Sequence, residues 1–179
     1  MKKSFISMSI LLGSTFLISQ SNVYAADSLN DCKISLSEAI KTYKKHHPGT
    51  AITDIELDQS YGKWFYEFEG IDNTKEYTTK INAQNGKISK EKKEFLDYED
   101  QREDNLKDSQ LNLENMISLP KLKAIVLSEN KGFRIEKYKI SKRHQKTYIE
   151  LSLRKNMLQK KEIKLDAQTG KILEIKNDD

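Results

Sequence analysis

The sequence predicts an α+β protein of two tandem α-β-β-β-β modules, each with one helix packed on a small antiparallel sheet. Three observations predict it. Residues 34–90 and 117–175 align with each other in register. Each copy opens with apolar residues at helical spacing and then changes to strand alternation. Each closes on nearly the same turn, INAQNGKI at 81–88 and LDAQTGKI at 165–172. Ile34-Ser35-Leu36 falls on Ile117-Ser118-Leu119, Gly49 on Gly132, Ile52 on Ile135, and Tyr66-Glu67-Phe68 on Ile149-Glu150-Leu151. One inserted residue then brings Ala83-Gln84 and Gly86-Lys87-Ile88 onto Ala167-Gln168 and Gly170-Lys171-Ile172. A chance match would not hold its register from first helix to last turn, so a duplication is read.

The elements follow in chain order. Residues 1–25 read as a secretory signal peptide: a basic MKK start, an apolar run, and compact residues before a cut at Ala25–Ala26. A retained membrane anchor is the alternative, but the apolar run is short for a span of about 20 residues. Nothing later is long and apolar, so a soluble, secreted chain is expected. Residues 26–33 read as a disordered N-terminus. It holds Cys32, the single cysteine, which cannot form an intrachain disulfide. Asp31 before it speaks against lipidation.

Domain 1 is read over 34–90. Ser35 and Glu38 form a capping box, in which the serine side chain accepts from a backbone amide and the glutamate reaches back. Leu36, Ala39, Ile40 and Tyr43 make the apolar stripe, and Pro48-Gly49 stops the helix. Ile52 to Leu57 is a short strand. In the next strand Trp64, Tyr66 and Phe68 alternate with Phe65, Glu67 and Glu69, which turns the first set toward the core. A third strand ends at Ile81 and a fourth begins at Lys87. The Asn85-Gly86 turn joins them, because glycine, and to a lesser degree asparagine, reaches positive φ at low cost.

Residues 91–116 read as a charged connector, helical by its opposite-charge pairs Lys90/Glu94 and Glu103/Lys107, with a flexible solvated linker as the alternative. Domain 2, over 117–179, repeats the unit. Ser118 takes the cap position, Pro120 is tolerated in the first helical turn, and Leu119, Leu122, Ile125 and Val126 form the stripe.

The quoted stretches resemble the PepSY family. ISLSEAI, WFYEFE and INAQNGKI carry the likeness in the first unit, and ISLPKLKAI, TYIELS and LDAQTGKI carry it in the second. INAQNGKI departs from the family's closing pattern at Asn82 and Asn85, and the second helix departs at Pro120-Lys121. The resemblance implies a small α+β layer and a secreted or cell-wall-associated binding module. It further implies a role in restraining or modulating an extracellular peptidase. An envelope-associated module without peptidase business is the alternative. No peptidase domain is attached, so restraint would act in trans.

Composition and motifs bound the chemistry. The chain has 31 basic and 27 acidic residues, a near-balance without the clustered basic face of a nucleic-acid binder. No catalytic residue, metal site or cofactor is predicted, and the binding residues stay unknown. His46-His47 lacks the i, i+4 spacing of helical metal ligands and reads as an exposed pair at a helix end. His144 reads as a solvated residue of a basic turn. Glu67 and Glu150 read as solvent-face residues of two separate sheets. Trp64, Tyr66 and Phe68 read as core in preference to a ligand platform. That leaves a surface mechanism, with the terminal strands Lys87–Lys90 and Lys171–Lys176 as candidates if they lie at sheet edges.

Overall fold

The computed structural model describes Leu29, residues 32–96 and residues 108–178. The expected leader and the 97–107 part of the connector lie outside the described residues. The elements run α1 (Leu36–His46), β1 (Ala51–Ser60), β2 (Lys63–Ile71), β3 (Lys75–Asn82), β4 (Ile88–Phe95), α2 (Leu119–Glu129), β5 (Arg134–Arg143), β6 (Lys146–Arg154), β7 (Lys160–Asp166) and β8 (Ile172–Asp178). The α-β-β-β-β order thus occurs twice.

The expectation of two separate small sheets is corrected. All eight strands form one antiparallel sheet in the order β4-β3-β2-β1-β5-β6-β7-β8. The halves meet at a seam where Ile55 lies opposite Ile140, Glu56 opposite Lys139 and Leu57 opposite Tyr138. The reason is the edge that β1 would otherwise expose. A strand paired on one side leaves a row of unmet amides and carbonyls, and the matching row on β5 satisfies it.

Burial follows the period of two. Trp64, Tyr66 and Phe68 are buried as expected, and β6 buries Thr147, Ile149, Leu151 and Leu153 at the same alternation. Opposed residues on neighbouring strands share a face. Buried Ile55 and Ile140 are directly opposed, so the cores of both halves lie on one side of the sheet. They merge into a single apolar cluster that includes Tyr43 of α1 and Val126 of α2. Both helices therefore cover the same face, and among the described residues no helix covers the other, open face. β1 and β5 each break register once, between Ile52 and Asp54 and between Ile135 and Lys137.

The repeated turn does more than close a hairpin. Asn82 Oδ1 accepts from the Gln84 and Asn85 amides at 2.8 and 3.3 Å. Asp166 Oδ1 accepts from the Gln168 and Thr169 amides at 3.2 and 2.8 Å. Gly86 and Gly170 follow at φ 70° and 72°, where a side chain would be strained. The buried alanine inside each turn then holds the chain that enters the helix. Ala83 O accepts from the Ile34 amide and Ala167 O from the Ile117 amide, each at 2.9 Å.

Two further boundaries are corrected. Residues 91–95 continue β4 and do not begin a connector, because they pair along β3 from Thr79–Glu91 to Lys75–Phe95. Ladder pairing outweighs the helical i, i+4 charge pattern there. Residues 29, 32 and 33 are placed, not disordered: Leu29 is buried, and the Lys33 amide donates to Ala83 O at 2.9 Å. The end of the connector also binds both halves. The Leu111 amide donates to Ile52 O at 2.8 Å, and the Asn112 amide to Thr147 Oγ1 at 2.9 Å.

Candidate functional site

Three surfaces of this layer could meet another molecule. The first is the pair of outer strands. The sheet order places β4 and β8 at its two edges, as the sequence reading required for Lys87–Lys90 and Lys171–Lys176. The two edges differ. Five of the eight residues of β4, ISKEKKEF, are charged, and every position after Ile88 is exposed. That composition protects an edge against pairing. β4 exposes a large apolar side chain only at its end, Phe95, whereas β8 shows Leu173 and Ile175 to solvent within the strand, each 48% exposed.

The second surface is the open face. Glu67 and Glu150 both lie there, in one sheet and not in two. A single transverse row crosses all eight strands through Lys90, Lys80, Glu67, Glu56, Lys139, Glu150, Lys164 and Glu174. Two strands separate Glu67 from Glu150, about 14 Å at ordinary strand spacing. That is too far for paired-carboxylate chemistry, which needs about 5–9.5 Å. Instead each carboxylate takes a lysine from the adjacent strand: Lys80–Glu67 at 2.9 Å and Lys164–Glu150 at 3.4 Å. The seam adds Lys137–Glu56 at 2.7 Å and Lys139–Asp54 at 3.1 Å. Burial nonetheless pushes the Asp54, Asp58 and Glu69 carboxyls above their ordinary range. A shallow cavity of about 320 Å3 opens over the second half, lined by Lys137, Lys139, Glu150, Ser152, Lys164 and Lys176 among others.

The third surface is on the helix side. An apolar groove of about 590 Å3 runs between the N-terminal ends of α1 and α2, past Leu29, Ile34, Ile40, Tyr66, Met116 and Leu119. Half-buried Cys32 lines it as well. At its floor Tyr66 donates to Ile34 O at 2.9 Å. Burial pushes the Tyr66 phenol far above its ordinary value.

The histidines are placed unevenly. His144 is exposed in the β5–β6 turn at φ 49°. His46 is exposed at the end of α1, but His47 is buried, which corrects the reading of an exposed pair. His47 is the helix C-cap, at φ −120° and ψ 71°, and this non-helical turn drops its ring onto the sheet. There it lies 4.7 Å from the Tyr77 ring and 5.0 Å from the Tyr43 ring. Its Nε2 is 2.8 Å from Thr79 Oγ1. Glu91, opposite Thr79 on the outer strand, reaches both histidines. Its Oε2 is 2.9 Å from His46 Nε2 and its Oε1 is 3.8 Å from His47 Nε2. Burial lowers the pKa of His47 against the opposing pull of Glu91, and the His46 contact lowers that of Glu91. Sequence reasoning missed this grouping because it placed Glu91 in a helical connector.

Among curated proteins no sequence matches the chain. A solved structure does, that of a "putative lipoprotein" from Clostridium difficile 630. The two are 26% identical with a TM-score of 0.74, over 81% of this chain and 93% of that one. Among the described residues no helix is long and apolar enough to cross a membrane. Residues 33–92 match the family described as peptidase propeptide and YPEB domain. That stretch takes in α1, nearly all of β1–β4 and the INAQNGKI turn, so the first half of this chain carries a PepSY domain.

Proposed function

We propose that the protein is a non-enzymatic, extracytoplasmic binding module that takes an extended polypeptide segment along β8 and thereby restrains a secreted peptidase. The observation that carries this reading is the difference between the two edges of the sheet. β4 is guarded by charge, whereas β8 offers unpaired backbone groups flanked by exposed Leu173 and Ile175. An added strand gains its affinity from main-chain hydrogen bonds and its selectivity from the alternate side chains beside them. The peptidase class of the partner is supported by the PepSY match, whose family is described by peptidase propeptides. The duplication extends the same reading to 117–175 as a second PepSY-like unit.

The test is inhibition of the peptidases in the producing cell's culture supernatant by the purified mature chain. Ile172→Pro and Leu173→Asp should each weaken inhibition about tenfold or more while circular dichroism shows an intact fold. Cys32→Ser and His46→Ala should leave it unchanged. A loss confined to the Cys32 or His46 variants would sink the surface mechanism. A second reading, envelope attachment without peptidase business, is favoured by the lipoprotein description of the structural relative. Retention on cell-wall sacculi without inhibition of any peptidase would select it.

A further inference from the structure

We propose that His46, His47 and Glu91 form a binding site for one divalent transition-metal ion of the zinc type. The inference is independent of the β8 reading above. The three ligating atoms, two imidazole nitrogens and one carboxylate oxygen, all lie within 4.8 Å of one another. Two donors on a common zinc ion, each about 2.1 Å from it, can be no more than about 4.2 Å apart. The cluster therefore needs only a small closing movement. His46 and Glu91 are free to make it, with side chains 45% and 39% exposed. The two imidazole rings stand edge to face, at 88°, and are not stacked on each other. Two imidazoles with one carboxylate is a donor set that suits zinc and its neighbours better than calcium or magnesium, which prefer oxygen alone. Solvent reaches the cluster past His46 and Glu91, which leaves room for a fourth ligand from water or from a partner.

The surroundings are those of a held ligand. His47 is fixed between the Tyr43 and Tyr77 rings, and its Nε2 already has a polar neighbour in Thr79. A metal at that nitrogen would take over the contact with Thr79.

The second half of the chain is an internal control. Its α2 ends in the same way, with Asn130 as the C-cap, and its outer strands pair in the same register, Ile163 opposite Ile175 where the first half has Thr79 opposite Glu91. The four positions His46, His47, Thr79 and Glu91 thus become Glu129, Asn130, Ile163 and Ile175. There Asn130 caps Val126 O at 2.8 Å and accepts from Lys161 at 3.0 Å. The fold therefore closes this corner without histidine and with an apolar strand pair. A buried histidine–threonine contact is the more demanding solution, because each polar group must find a partner out of water. Its presence only in the first half is accounted for by a ligand.

The experiment is a Zn2+ titration of the untagged, leader-free chain by calorimetry, with competition against a chromophoric chelator. One equivalent should bind, and the melting temperature should rise with added Zn2+. His46→Ala and Glu91→Gln change exposed side chains and should keep the fold. Each should weaken binding by about tenfold or more. The double change His47→Asn with Thr79→Ile copies the second half and should abolish binding with the fold intact. Failure to bind an equivalent of Zn2+, or binding that survives both His46→Ala and Glu91→Gln, would overturn the proposal. Survival of that kind would place the ion elsewhere, at His144 or the chain ends.

Discussion

The Tyr43 ring of α1 lies directly over Gly70 of β2, so close that a Cβ at residue 70 would collide with the phenol oxygen and sit 2.9 Å from Ala51 O. The corresponding positions of the second half hold Val126 and Leu153, both buried. The large residue has moved from helix to strand, and the layer spacing is filled either way. Gly70→Ala should therefore destabilise the protein by about 2 kcal/mol through overpacking. The paired change Tyr43→Val with Gly70→Leu should recover most of that loss. Denaturant unfolding of both variants beside the parent checks it, and a double variant no better than Gly70→Ala would show that the two halves pack differently here.

The two helix starts make a second contrast. Ser35 forms the full capping box, its amide donating to Glu38 Oε2 at 2.8 Å and its hydroxyl accepting from the Glu38 amide at 3.3 Å. Ser118 holds the same position with no side-chain cap bond. Ser35→Ala should cost about 1 kcal/mol. Ser118→Ala should fall within about 0.5 kcal/mol of the parent. Thermal unfolding of both variants under one buffer reads the difference.

The matched turns differ in charge. Asp166 accepts from the Thr169 hydroxyl and from two backbone amides, which hold its carboxyl below the ordinary range. A depressed carboxylate adds stability that is present above its unfolded pKa of 3.8 and is lost as pH falls through the lower folded value. Asn82 fills the same role in the first half without a charge. Asp166→Asn should flatten part of the fall in stability below about pH 4, and Asn82→Asp should steepen it. Melting temperatures measured from pH 7 down to pH 2.5 test both, and parallel curves would remove Asp166 from the acid limb.

The seam is held on the open face by Lys137–Glu56 and Lys139–Asp54. Replacing both lysines by glutamate sets like charges against each other across β1 and β5. The pairs are part-exposed, so the loss should be modest, roughly 1 kcal/mol, and should shrink in high salt. Glu56→Lys with Asp54→Lys in the same chain should restore it. A salt-independent loss would assign the effect to packing at Ile55 and Ile140.

The repeat made much of the fold legible. Element order, buried strand faces and the glycine turns all follow from periods of 3.6 and 2 and from the Gly86 and Gly170 positions, whereas the alanine carbonyls that hold each helix entry did not show in the sequence. The single sheet was not legible, because β1 alternates in the same way whether its free side meets solvent or β5. The placement of His47 was hidden for a similar reason. Its partners Thr79 and Glu91 come from strands far along the chain, and Glu91 sits in a charge run whose spacing also fits a helix. Backbone pairing with β3 decided that segment, and strand preference is set largely by such neighbours.

The seam also sets an order of assembly. Every pairing in the sheet joins consecutive strands except β1 with β5. Consecutive strands close short loops and can form early, whereas β1 must wait for a partner that lies beyond three other strands and a helix. During synthesis the first half emerges before β5 does. Until then it carries two bare edges in place of one, and the uncovered row on β1 can pair with a second nascent copy. The arrival of β5 ends that interval by covering the β1 edge within the same chain.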